Sequence, residues 1–229
     1  MNKVTQFEHL SNDLILEIFD YLHALELFVA FSPLNQRISS ILSSTQLHVI
    51  ISKLHCQYQM KLLSSYLTHH AHQVISLSLE DQLRDYSSVI SFFFDQHTFI
   101  NLRSCKFYHI HPSSKFQNVI QRLESLTKLV SFHIFHPREA LLTYLFKQDI
   151  TKSILTHKSV TLRSIDLSFH YNYLNLVSNI ALNLSVTSLH MIFEGPDNTL
   201  SIYSFLPILR HYRALRVLRI GISNEIDFM

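Results

Sequence analysis

At 229 residues, 47% hydrophobic and only 16% charged, with 19 Lys and Arg against 17 Asp and Glu, the chain has room for one domain or two small ones. It also has no global field to draw in nucleic acid, so no nucleic-acid partner is expected. Gly195 and Gly221 are the only glycines, which excludes the multi-glycine loops that cradle phosphates or sharpen a nucleophile elbow. Cys56 and Cys105 fit neither a C-x-x-C pair nor a four-cysteine zinc site, and they read as buried thiols in a reducing compartment. No apolar run approaches the roughly 18 residues needed to span a bilayer, and no apolar stretch follows Lys3 as an export signal would require. A cytoplasmic or nuclear location with no membrane contact is the expectation.

In chain order, residues 10–42 read as three short helices. Ser11 or Asn12 caps the first, Asp13 suits its first turn, and Leu14, Ile15, Ile18 and Leu22 recur at steps of three and four on one face. A second helix passes through Glu26, Leu27 and Phe28. Ser32 and Pro33 are expected to open a third, carrying Leu34, Ile38, Ile41 and Leu42. Three such helices cannot enclose a large core alone, so the unit is expected to dock.

The run Leu10, Ser11, Asn12, Asp13, Leu14, Ile15, followed by Ile18, Leu22, the pair Glu26-Leu27 and then Leu34 to Ile38, resembles the F-box. Ser11 stands where that family has proline and Ile38 where it usually has tryptophan. The resemblance implies an F-box-like helical domain over residues 5–45 that docks onto the Skp adaptor of a cullin-RING ubiquitin ligase. The positions matching the motif, Leu10, Leu14, Ile15, Ile18, Leu22, Leu27, Leu34 and Ile38, are the implied Skp contacts. Ile18 and Leu34 stand equally well as core of the unit itself.

Beyond the helices, a motif of the form apolar-x-x-apolar-x-apolar recurs six times: Val74-Leu77-Leu79, Leu102-Cys105-Phe107, Leu129-Phe132-Ile134, Leu162-Ile165-Leu167, Val186-Leu189-Met191 and Leu215-Leu218-Ile220. Central positions advance by 28, 27, 33, 24 and 29 residues, and a serine precedes the centre in five copies: Ser76, Ser104, Ser131, Ser164 and Ser188. Each copy alternates like a strand, and the gaps have helical spacing. The helical residues are Val89, Ile90, Phe93 and Phe94 in the first gap, Val119, Ile120 and Leu123 in the second, and Leu141, Leu142 and Leu145 after Pro137 in the third. The fourth has Leu174, Val177, Ile180 and Ala181; the fifth has Ile202, Phe205, Leu206 and Leu209, beyond a turn at 194–197. Residues 47–51 read as one further strand, and Met60, Leu63 and Leu67 as a helix that caps the array.

A strand and helix repeated at this period resembles the leucine-rich repeat, matching its L-x-x-L-x-L strand but not the Asn or Cys that follows it. The expected fold is therefore α/β, with an N-terminal three-helix F-box-like unit followed by a curved leucine-rich-repeat-like solenoid with a parallel sheet. Residues 46–229 would form that second domain, about six repeats with an N-terminal cap.

Sixteen histidines invite a metal reading. Cys105, His109 and His111 offer three ligands, yet Cys105 holds a core position of its strand and is read as core. His69, His70 and His72 read as a solvated helix end. Asp166 and His190 are neighbours on adjacent strands with Ser164 and Ser168 beside them, but no oxyanion loop accompanies them. No metal, cofactor or catalytic residue is expected. The basic run Arg210, His211, Arg213, Arg216 and Arg219 reads as a helix end leading into a strand, with an acidic partner as the alternative.

The outward strand positions form one mixed face of charge and exposed aromatics: Glu80, Lys106, Tyr108, His133, Phe135, Asp166, His190, Ile192 and Arg219. Such a face suits a protein or peptide rather than a small molecule. Lys106, Tyr108, His133, Phe135, Asp166, His190 and Arg219 are the candidate substrate-binding residues, the substrate being a protein whose identity is not written in the sequence. A repeat scaffold with no ligase role is the alternative.

Overall fold

The computed structural model describes residues 7–83, 88–110, 114–135, 144–155, 157, 159–172, 185–194, 209–210 and 212–223. Helices α1 (Asn12–Asp20), α2 (Ala24–Phe31) and α3 (Gln36–Ser44) come first. Then β1 (Leu47–Ile51), α4 (Gln57–His70), β2 (Val74–Glu80), α5 (Val89–Gln96), β3 (Ser104–Tyr108), α6 (Ser114–Glu124), β4 (Ser131–Phe135), α7 (Tyr144–Leu155), β5 (Ser164–Asn172), β6 (Ser188–Glu194) and β7 (Val217–Ser223) alternate along the chain. The architecture is α/β.

The seven strands form one sheet in chain order, β1 to β7, and every neighbouring pair is parallel. The central and last residues of all six motif copies lie in it, the centres aligned Leu77↔Cys105↔Phe132↔Ile165↔Leu189↔Leu218. Because successive side chains of a strand point to opposite faces, this register puts Leu77, Leu79, Cys105, Phe107, Phe132, Ile134, Ile165 and Leu167 on one face, fully or almost fully buried. Helices α4 to α7 pack on one another in chain order, and their Met60, Leu63, Phe93, Phe116, Val119 and Ile150 belong to the same buried cluster. Each buried Leu, Ile, Phe or Val on this face contributes roughly 1.5 to 3 kcal/mol relative to exposure.

The three N-terminal helices join that core. Ser11 caps α1, accepting from the Leu14 N–H at 3.4 Å, and Ile15 and Phe19, one turn apart, face inward. At the start of α2 the Glu26 carboxylate accepts from the His23 N–H at 2.9 Å, half of a capping box. Helix α2 packs against β1 and α4, with Phe28 stacked on Tyr66 at 4.7 Å and 9°.

Two local expectations are corrected. The third helix starts at Gln36 and not at Pro33: Asn35 is the cap, its Oδ1 accepting from the Ile38 N–H at 2.9 Å, while Ser32, Pro33 and Leu34 form a turn closed by Leu34 N–H to Phe31 O at 3.2 Å. In the third gap, α7 buries Ile150, Ile154 and Leu155; the side chain of Leu145, in its first turn, lies outside the described residues. Leu141 and Leu142, all the helical positions named for the fourth gap, and Ile202, Phe205 and Leu206 of the fifth lie outside the described residues, as do Gly195, Pro196, Asp197 and His111. Leu209 is exposed and not on a buried face.

Candidate functional site

Two surfaces gather the residues singled out above. On the helical unit, alternate sides of α1 separate. Leu14 and Leu34 are exposed, at 47% and 44%, while Leu10, Ile18 and Leu22 are half-buried against the core. Ile15, Leu27 and Ile38 are fully buried and have no surface to offer a partner in this conformation; their side chains hold the three helices together. Arg37 ties the outer layer down, its Nε donating to Asn12 Oδ1 at 2.9 Å and its Nη2 to the Leu10 carbonyl at 2.7 Å. That clasp escaped sequence reasoning, since nothing in the spacing of Leu10, Asn12 and Arg37 indicates it.

On the sheet, parallel register turns sequence-distant residues into rows. Lys106↔His133↔Asp166↔His190↔Arg219 is one continuous row across β3 to β7. Beside it runs Ser76↔Ser104↔Ser131↔Ser164↔Ser188↔Val217, with the Ser131 hydroxyl donating to Ser104 Oγ at 2.9 Å. On its other side Tyr108 and Phe135 pair, with rings stacked at 5.1 Å and 23°. His133 extends the stack, 5.6 Å from Phe135 and 8° from parallel. All seven candidate substrate-binding residues therefore occupy the same open face.

The centre of the row is electrostatically resolved. Asp166 Oδ1 accepts from the Ser168 hydroxyl at 2.8 Å and pairs with His190 Nδ1 at 2.9 Å. Its Oδ2 lies 3.9 Å from His133 Nδ1, too far for a hydrogen bond, and that nitrogen is buried with no hydrogen-bond partner. Burial by itself would raise the Asp166 pKa, but His133, the Ser168 hydroxyl and the charge and hydrogen bond of His190 outweigh it and hold the carboxyl below its ordinary value. At the β2 end, Glu80 accepts from the Lys53 N–H at 2.7 Å and sits 3.7 Å from His109 Nε2. His109 takes a left-handed φ of 50°, a conformation that is uncommon outside glycine.

An Asp–His pair such as Asp166–His190 forms the orienting half of hydrolytic triads, yet among the described residues no hydroxyl bonds to His190, and the nearby Ser168 bonds to the aspartate instead. Of the two thiols expected to be buried, Cys105 is fully buried and its pKa is pushed up by that burial, whereas Cys56, at the start of α4, is exposed. Among the described residues no cluster of three His, Cys, Asp or Glu side chains could hold a metal ion, and no helix is long and apolar enough to cross a membrane. Of the histidines closing α4, His69 is exposed, whereas His70 pairs with Gln73 and packs on Phe28.

These features define a parallel α/β protein with a helical unit at one end of the sheet that leaves Leu14 and Leu34 exposed, and a charged, partly aromatic face along the sheet. No family model matches the chain, and no curated protein matches it.

Proposed function

We propose that the chain is a substrate-recognition adaptor of a Skp-cullin-F-box ubiquitin ligase, binding the Skp adaptor through its F-box-like helices and a protein substrate through the open face of a leucine-rich-repeat-like solenoid. The observation that carries the reading is the exposure of Leu14 and Leu34, two positions that match the motif, on a unit that also leaves Tyr21 and Val29 in water. Two large aliphatics held in water on so small a unit suit a helix-in-groove contact. In this reading Leu10, Leu14, Ile18, Leu22 and Leu34 meet the Skp adaptor, and Ile15, Leu27 and Ile38 position them from within. Lys106, Tyr108, His133, Phe135, Asp166, His190 and Arg219 meet the substrate, and the protein itself performs no chemistry.

A second reading has a specific observation behind it. The stack of Phe28 on Tyr66 and the packing of α2 on β1 suit helices whose task is to cap the sheet edge of an interaction scaffold with no ligase role. Co-purification with Skp adaptor separates the two. Leu14→Asp is expected to abolish capture of the Skp adaptor, with the circular dichroism spectrum unchanged because Leu14 is half exposed; Leu34→Asp is expected to do the same. Wild-type chain that fails to retain Skp adaptor at micromolar concentration supports the scaffold.

A further inference from the structure

Although charge is nearly balanced over the whole chain, it is not balanced in space. Helices α1 and α2 expose Asp13, Glu17, Asp20 and Glu26. The edge of the sheet at which the strands begin carries the opposite sign. Just before each serine of the serine row, a backbone ladder links Ile75, Arg103, Val130, Arg163, Thr187 and Arg216: Val130 N–H to Arg103 O at 2.8 Å, Arg163 N–H to Val130 O at 2.8 Å, Thr187 N–H to Arg163 O at 2.9 Å and Arg216 N–H to Thr187 O at 2.8 Å. The arginines thus stand one residue ahead of β3, β5 and β7, every second strand, along one rim of the sheet.

All three are exposed, and none pairs with a carboxylate among the described residues. Arg163 is braced by its own contacts, with Nη1 donating to the Val160 and Ser185 carbonyls, both at 2.9 Å, which leaves other guanidinium N–H donors for a ligand. Inside the rim, Lys106 and Arg219 end the central row, also without a carboxylate partner among the described residues. Between them Asp166 is engaged by His190 and Ser168. From β3 to β7 the edge where the strands begin, and the open face next to it, therefore offer cations whose charge is not answered within the described side chains.

Their spacing carries chemical information. Strands lie about 4.8 Å apart, so arginines ahead of alternate strands repeat at about 10 Å. An extended peptide in the polyproline II form has three residues per turn and advances about 3.1 Å per residue, so carboxylates at every third position share one face and repeat at about 9 Å. We propose that the rim of Arg103, Arg163 and Arg216, backed by Lys106 and Arg219, binds an extended acidic peptide that crosses the strands with a carboxylate at every third residue. The inference rests on the reading of the sheet as the substrate-binding surface and names the class of substrate. An acidic peptide is favoured over nucleic acid because its charges match the 10 Å repeat, whereas phosphates follow one another more closely along a strand.

The test uses the full chain and fluorescence anisotropy with a labelled peptide of three Glu-Ser-Phe repeats, its Gln and Lys counterparts, and a labelled oligothymidylate. The Glu peptide is expected to bind about tenfold tighter than the Gln peptide, with the advantage shrinking as salt is raised. Arg103→Glu with Arg216→Glu is expected to erase that advantage and favour the Lys peptide, while Lys115→Glu on α6 changes nothing. Gln and Glu peptides of equal affinity would overturn the acidic class yet leave the sheet standing as a recognition surface. Tighter binding of oligothymidylate would reassign the rim to nucleic acid, and failure of every peptide to bind would remove both the inference and the reading beneath it.

Discussion

His157 shows how far a single side chain can be committed to one protonation state. It is buried, its Nε2–H donates to the Leu123 carbonyl at 2.7 Å and its Nδ1 accepts from the Ser159 N–H at 3.0 Å. A second proton would have to go on Nδ1, facing another N–H. Burial accordingly holds the imidazole below its ordinary pKa of 6.5, and His97, buried beside the Ser64 hydroxyl at 2.8 Å, is lowered by the same cause. A pKa lower in the folded than in the unfolded chain means that the unfolded chain binds more protons as pH falls. The stability from these histidines is therefore complete above about 6.5 and is lost as pH drops toward their folded values. Urea midpoints are expected to fall between about pH 7.5 and about pH 5.5. His157→Ala should cost about 2 kcal/mol at neutral pH, by stranding the Leu123 carbonyl and leaving a void, and should flatten part of that pH dependence.

At the scale of elements, a buried glutamine joins the helical unit to the sheet. The last carbonyls of any helix lack intrahelical partners; at the end of α3, Gln73 Nε2 donates to Leu42 O and, just beyond the helix, to Thr45 O, both at 2.9 Å. Gln73 lies in the short turn between α4 and β2, so one side chain fixes where α3 ends relative to where the second strand begins. Gln73→Ala is expected to lower the thermal midpoint, with a loss of about 2 kcal/mol measured by chemical denaturation; an unchanged midpoint would mean that water takes over both carbonyls. This link is invisible in the sequence, because a glutamine among histidines carries no periodic signal. Strand positions were legible for the opposite reason: alternation, with a serine ahead of five of the six centres, fixes both the strand and its inward parity, and parallel pairing in chain order then aligns Asp166 with His190. Helix starts were less legible. Ser32 and Asn35 are both good caps, and only the Asn35 contact to Ile38 N decides between them. An apolar stripe likewise cannot say whether it faces its own core or water, which is why Ile15 and Leu14, adjacent in sequence, part company in space.

Taken as a whole, the sheet adds its strands in the order of the chain, so each strand after the first is hydrogen-bonded on one side to the strand that precedes it in sequence. Such an object has a mechanical grain. Tension drawn between the N-terminal helices and β7 acts across the strands and loads the inter-strand hydrogen bonds one row at a time, like a zip, instead of shearing them together. Strand centres are 24 to 33 residues apart, so optical-tweezer traces are expected to show successive lengthenings of roughly 80 to 120 Å as each strand and its connection peel away from β7 inward. A single rupture would mean that the shared core binds the strands into one mechanical unit. A protein that peels from one end could be drawn into a threading machine strand by strand, while the helices at its far end stay folded.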